Sequence, residues 1–246
     1  MVQNFSKREI FRMVTDFNGG AVCFTFDDSR YMDWLAQRDL FKKYNAHATF
    51  FYSGELTEAH VDSMRLLQAD GHTIGLHSIY HLNCDMTDEE GLEEYIRKGV
   101  LPQLEICRRE GIKTECFAYP NNIHTAESDK ALGKYFRHFR ASIFPRPEPA
   151  KGYWIADFPQ CFHTYEEVAA APALAGSGIG EYYLTKLENL DAALEKAARE
   201  NLLIIFFSHG IHENAPGIHM PTATLEHCLE KISSLNMKCI GYDELP

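Results

Sequence analysis

An aspartate pair, Asp27-Asp28, closes the apolar run Ala21-Val-Cys-Phe-Thr-Phe26, and two histidines four apart, His77 and His81, follow Gly71-His-Thr-Ile-Gly-Leu76. One carboxylate and two imidazoles form a ligand set for a divalent transition metal that leaves positions open for water and substrate. Such a set points to hydrolysis. Neither pattern is specific alone. Twelve histidines in 246 residues give an H-x-x-x-H spacing by chance, and acidic residues at strand-to-helix junctions often cap helices. The i, i+4 spacing predicts a helical turn with both imidazoles on one face, held by a Ser78 side chain bonded to the backbone.

These side chains need rigid elements to converge. Residues 21–26 read as a buried strand, 48–53 as a second and 73–76 as a third, with 116–119, 139–144 and 202–207 continuing the series. Between them the periodicity predicts helices over 32–44, 57–69, 88–110 (broken near Gly99 and Pro102), 127–135, 183–201 and 222–235, with Thr57 opening a capping-box-like start. Residues 145–165, rich in proline and glycine at their start, read as irregular. Strands alternating with helices imply an α/β fold with a parallel sheet of βαβ units. Asp27-Asp28, His77, Tyr119-Pro120 and His209 each follow a strand at its C-terminal end, the face that carries catalytic loops in parallel barrels.

Composition narrows the partners. The chain is 45% hydrophobic and 12% aromatic, enough for a sizeable core. Its net charge of −11 and the lack of any basic run argue against nucleic-acid binding. Seven scattered cysteines, an odd number, fit buried free thiols and lean toward a reducing, cytoplasmic setting. The first ten residues show no secretory h-region, and no apolar span has membrane length. A trimmed signal peptide would instead make the protein secreted or periplasmic. The expected layout is an N-terminal extension over 1–19 and one catalytic domain over 20–246. Nothing in the sequence sets the oligomeric state.

Taken together, Thr25-Phe-Asp-Asp-Ser29, Ala48-Thr-Phe-Phe51 and Gly71-His-Thr-Ile-Gly-Leu-His-Ser-Ile-Tyr-His81 resemble the polysaccharide deacetylase family, the NodB-homology or carbohydrate esterase family 4 group. The resemblance runs from about residue 20 to the C-terminus. It implies a single-domain distorted (β/α) barrel, one divalent metal (usually zinc), and removal of acetyl groups from N-acetylated sugars. It assigns Asp28, His77 and His81 as metal ligands and Asp27 as general base. His209, after the apolar strand, matches the general acid, with His212 and His219 left as loop residues. Metal binding moves the pKa of water from its bulk value toward about 7, and a neighbouring free carboxylate can then take its proton.

Two motifs depart from the family pattern. Where R-x-P-Y is usual, this chain has Ala118-Tyr-Pro-Asn121. Asn121 can still supply a main-chain N–H to an oxyanion, and Tyr119 is a candidate pocket wall. Losing the arginine predicts that Asp27 lacks its charge partner and has a raised pKa. In Tyr153-Trp-Ile-Ala-Asp157, Trp154 is the candidate pocket tryptophan and Asp157 the candidate that orients the acid histidine, in reversed order. Three readings follow: a metal-dependent carbohydrate deacetylase, an amidohydrolase acting on a small non-sugar amide, and a metal-containing glycan-binding protein impaired in catalysis.

Overall fold

The structure, a computed structural model, describes residues 13–143, 153–213 and 218–246. The expected extension over 1–19 therefore lies outside the described residues as far as residue 12, and so do the last residue of the expected 139–144 strand and the 145–152 part of the expected irregular stretch. Residues 13–19 pack on the barrel. Phe17 is buried against Tyr165, and the Val14 N–H donates to the Glu244 carbonyl at 2.8 Å.

Strands β1 (Ala21–Phe26), β2 (Ala48–Tyr52), β3 (Thr73–Leu76), β4 (Cys116–Ala118), β5 (His138–Ser142), β7 (Ala173–Gly178) and β8 (Leu203–Ser208) run parallel, each beside the next. The last closes on the first, with Ala21 opposite Leu203 and Phe26 opposite Ser208. This is the expected (β/α) barrel. Four short strands among the described residues sit outside the ring: β6 (Phe162–His163) lies antiparallel to β8, β9 (Gly210–Ile211) pairs with β10 (His219–Met220), and β11 (Lys238–Cys239) lies parallel to the start of β1. All six residues of β1 and of β8 are buried. Continuous apolar runs are what strands covered on both faces require.

Alternation along each strand sorts side chains into two layers. Val22, Phe24 and Phe26 of β1 join the layer beneath the helices, as do Phe50, Phe117, Tyr119, Phe139 and Phe206. Ala21 and Cys23 face the lumen with Phe51, Cys116, Ala118 and Ile205, over Tyr242. That parity decides which residues reach the barrel mouth.

Most connections match expectation. Helix α3 (Glu58–Ala69) starts where Thr57 donates its N–H to His60 Nδ1 at 3.1 Å. The long helix does break, into α4 (Glu89–Gly99) and α5 (Leu101–Arg109) with Pro102 in the first turn of the second. The helix expected over 32–44 is two pieces, α1 (Tyr31–Leu35) and α2 (Arg38–Lys43). The 127–135 helix shortens to α6 (Ala126–Leu132), and the 183–201 helix starts later, as α8 (Leu187–Glu200). α9 (Thr222–Ser234) is as expected. The sequence reading missed β7 and the preceding α7 (Tyr165–Ala170). β7 is Ala-Leu-Ala-Gly-Ser-Gly, without the β-branched and aromatic residues that mark a strand. Its small residues let neighbours crowd in: a Cβ on Gly176 would stand 3.0 Å from the Ile205 side chain.

The seven cysteines are free thiols, all buried except the half-buried Cys239. Among the described residues no helix is long and apolar enough to cross a membrane.

Candidate active site

Asp27 continues the lumen-facing parity of β1 and is 3% exposed; its N–H donates to Ser208 O at 3.0 Å. The next two residues turn left-handed, Asp28 at φ 70° and Ser29 at φ 53°. Ser29 Oγ fixes this turn to β2 by donating to Ser53 O at 2.6 Å. The turn separates two adjacent carboxylates that would otherwise compete for one place.

His77 follows β3 and is 2% exposed. Its Nδ1 lies 2.7 Å from Ala118 O, which can only accept, so the proton sits on Nδ1 and Nε2 is left bare. Burial keeps the ring neutral, with its pKa pushed down to about 4. His77 Nε2 stands 3.7 Å and His81 Nε2 3.5 Å from Asp28 Oδ1. One donor atom from each of Asp28, His77 and His81 lies within 4.8 Å of the others. Two ligands about 2.1 Å from one ion at a tetrahedral angle stand roughly 3.4 Å apart. The donors therefore fit one metal ion, and their chemistry is that of a transition metal.

The expected helical turn is absent. Residues 77–82 form an irregular loop in which Ser78 (φ 65°) and His81 (φ 50°) are left-handed. Main-chain bonds hold it: the Ile79 N–H donates to Gly99 O at 2.8 Å, and the Gly54 N–H to Ser78 O at 3.2 Å. Two backward kinks, not a helix, bring the imidazoles together.

Asp27 does have an arginine. Arg140, 1% exposed on β5, ion-pairs through Nη2 with Asp27 Oδ2 and donates through Nη1 to Asn122 Oδ1. Its guanidinium carbon lies 4.7 Å from the centre of the Phe207 ring. Burial pushes the Asp27 carboxyl up, but the Arg140 charge, with His77 and His209, outweighs it, so the pKa lies below its ordinary value. The expected unpartnered aspartate with a raised pKa is thus corrected. Asp27 Oδ1 is buried with no hydrogen-bond partner among the described residues. One oxygen is braced and the other is open to accept.

His209 follows β8. Its Nε2 lies 3.3 Å from Asp28 Oδ2, and its carbonyl accepts from Trp34 Nε1 at 2.8 Å. Burial lowers its pKa. Asp27, Asp28, His77, His81 and His209 therefore meet at the C-terminal mouth, where the strand-end pattern anticipates them.

Comparison with known proteins identifies the family and the fold. The sequence model of the polysaccharide deacetylase family matches residues 15–136, which hold Asp27, Asp28, His77, His81 and the Ala118–Asn121 segment. The chain belongs to the polysaccharide deacetylase family. A peptidoglycan-N-acetylglucosamine deacetylase of Bacillus cereus is 32% identical over 94 residues, 38% of this chain and 33% of that protein. The chain thus matches about a third of that curated relative's length. Among solved structures, the chitin deacetylase of the fungus Colletotrichum lindemuthianum aligns at TM-score 0.59 and 18% identity, covering 95% of this chain and 90% of that one. A carbohydrate esterase family 4 pseudoenzyme from Bacillus anthracis aligns at TM-score 0.56 and 14% identity, covering 92% and 65%. These likenesses show the barrel fold.

Against the polysaccharide deacetylase pattern, the remaining candidates fare unevenly. Tyr119 is no pocket wall. It is fully buried under the helices, its hydroxyl donates to Asp129 Oδ1 at 2.6 Å, and its ring stacks on His124 at 4.8 Å. Parity explains this, because Ala118 takes the lumen side and Tyr119 the other. Asn121 (φ 54°) is exposed at the mouth, and its side chain donates to Asn83 Oδ1 at 2.9 Å. Its N–H meets no acceptor among the described residues.

Asp157 does not orient His209. It is exposed in a short turn, Ile155–Asp157, tied to α8 by Ile155 N–H to Asn189 and Lys196 Nζ to Ala156 O. His209 Nδ1 is buried without a partner among the described residues. Trp154 is 43% exposed, so it is not a core residue, and it has no bond to Asp28, His77 or His81 among the described residues. His212 and His219 stack on each other at 4.5 Å, with His212 facing Asp33. His219 belongs to the short buried strand β10 (His219–Met220), not to a loop.

Arg140 was missed by sequence reading. Its signal was present: an arginine between Phe139 and Ala141 in an apolar strand must be paired when buried.

Proposed function

We propose that this protein is a divalent-metal-dependent hydrolase that removes acetyl groups from nitrogen on a carbohydrate. The observation carrying this reading is one cluster: two imidazoles and a carboxylate at ligand spacing, beside a second, buried carboxylate with one braced and one open oxygen. Asp28, His77 and His81 would hold the metal, and their two nitrogens and one oxygen suit zinc. When bound, the metal polarises water and the substrate carbonyl.

The chain's own residues supply the rest. Asp27 Oδ1 takes the proton from the attacking water while Arg140 fixes Oδ2. The Asn121 N–H is the candidate main-chain donor to the oxyanion. His209 Nε2 delivers a proton to the leaving nitrogen. Burial lowers the pKa of His209, which makes its imidazolium a stronger donor. The family membership and the relative that acts on peptidoglycan N-acetylglucosamine support an acetylated sugar as the substrate class.

A solved neighbour is a pseudoenzyme, so fold likeness alone does not carry activity. The Asp27–Arg140 pair weighs against lost catalysis, because it restores the contact that the Ala118 position lacks. The deciding experiment pairs metal analysis with an acetate-release screen over N-acetylated sugars and small amides. Acetate release from sugars that tracks metal content is expected. Full metal loading with no release from any sugar would overturn the assignment.

A further inference from the structure

The corner between β7 and α8 adds something that the family motifs do not contain. The phenol end of Tyr183 lies over Gly178, where a Cβ would stand 2.2 Å from its Cζ. Its ring meets Phe207 edge-on at 5.7 Å, and Phe207 carries the Arg140 guanidinium at 4.7 Å. Tyr183 is therefore one ring away from the Asp27–Arg140 pair, and both charges act on its hydroxyl. That hydroxyl has no hydrogen-bond partner among the described residues.

Next to it, Tyr182 is 54% exposed, with its ring 5.1 Å from that of Tyr183. The corner is rigidly built. Gly180 (φ 110°) lets the backbone approach His219 O, where a Cβ would stand 2.1 Å away, and Leu184 closes the turn left-handed. Tyr153 ties in the neighbouring stretch by donating to Gly178 O at 3.0 Å. An exposed aromatic face beside a free hydroxyl is what a pyranose recognises: its C–H face stacks on a ring and its hydroxyls need polar partners.

We propose that the Tyr182-Tyr183 corner is a sugar subsite of the active site, in which the Tyr183 hydroxyl bonds the sugar at the reacting position and Tyr182 stacks on the adjoining ring. This rests on the deacetylase reading and makes it specific: the substrate is an oligomeric N-acetylated glycan, not a small amide.

The test uses the full-length, metal-loaded protein with an N-acetylglucosamine dimer and tetramer as probes. Calorimetric binding and acetate release are read for wild type, Tyr182→Ala, Tyr183→Phe and the outer-helix control Leu66→Ala. Tyr182→Ala should weaken tetramer binding about tenfold and dimer binding less. Tyr183→Phe should lower kcat/KM about tenfold at unchanged metal content. The control should match wild type.

Wild type that fails to bind the tetramer overturns the subsite. So do variants equal to wild type, or losses that are the same for dimer and tetramer. Tetramer binding that depends on Tyr182 without acetate release keeps the subsite and overturns the deacetylase reading. Acetate release that neither variant alters does the reverse.

Discussion

Ala118 and Arg140 are register partners on adjacent parallel strands, side by side on the lumen face of β4 and β5. The charge partner for Asp27 that is missing at position 118 stands one strand over, beside the small Ala118. From there Arg140 reaches Asp27 on β1 across the barrel mouth.

Removing Arg140 should be costly. Arg140→Ala leaves the buried Asp27 carboxylate uncompensated, which costs about 3–5 kcal/mol and disorders the base. Urea unfolding and acetate release should both register the loss. If the role has moved between neighbouring positions, Ala118→Arg in the Arg140→Ala background should recover part of both. A double variant no better than the single one would contradict this.

Metal should stabilise the fold. Free metal at about 100 times Kd adds roughly 3 kcal/mol, which for a chain of this size raises Tm by roughly 5–10 °C. A chelator should reverse the shift, and His77→Gln should abolish it. Scanning calorimetry with and without zinc measures it.

Tyr119 should matter to stability and not to the substrate. Tyr119→Phe removes the bond to Asp129 and should lower stability by about 1–3 kcal/mol, with KM unchanged. A raised KM at unchanged stability would return Tyr119 to the pocket.

Acid should destabilise the protein through buried neutral histidines. Burial pushes the His138 pKa down to about 4 from an ordinary 6.5, and lowers that of His163 as well. Between pH 6.5 and 4 the unfolded chain takes up a proton at His138 that the folded chain does not. Stability is therefore full above that window and falls as pH drops through it, by on the order of 3 kcal/mol for this group. His138→Gln should flatten part of the decline in urea midpoints across the window. An identical profile would count against the assignment.

The barrel was largely legible because its strands are continuous apolar runs, and the convergence of Asp28, His77 and His81 because they follow strand ends. β7 was not, since Ala173 to Gly178 closes the ring through close approach and carries no strand-forming side chains. The histidine geometry was misjudged for a different reason. Spacing of four suits a helix, but left-handed Ser78 and His81 reach the same convergence by kinks, and local spacing does not report φ. The placement of Tyr119 followed from strand parity, which the sequence holds but motif alignment ignores. That a buried Arg140 needs a partner is legible in its apolar strand, but that the partner is Asp27 is not, because the two are 113 residues apart.

The central claim, that Asp28 binds the metal while Asp27 works beside it, is tested most directly by Asp27→Asn. Metal content and acetate release are measured on the same zinc-loaded preparation. Zinc should remain stoichiometric while acetate release from N-acetylglucosamine oligomers falls by roughly 10²–10⁴-fold. Normal turnover, or loss of zinc together with activity, would contradict the division of roles.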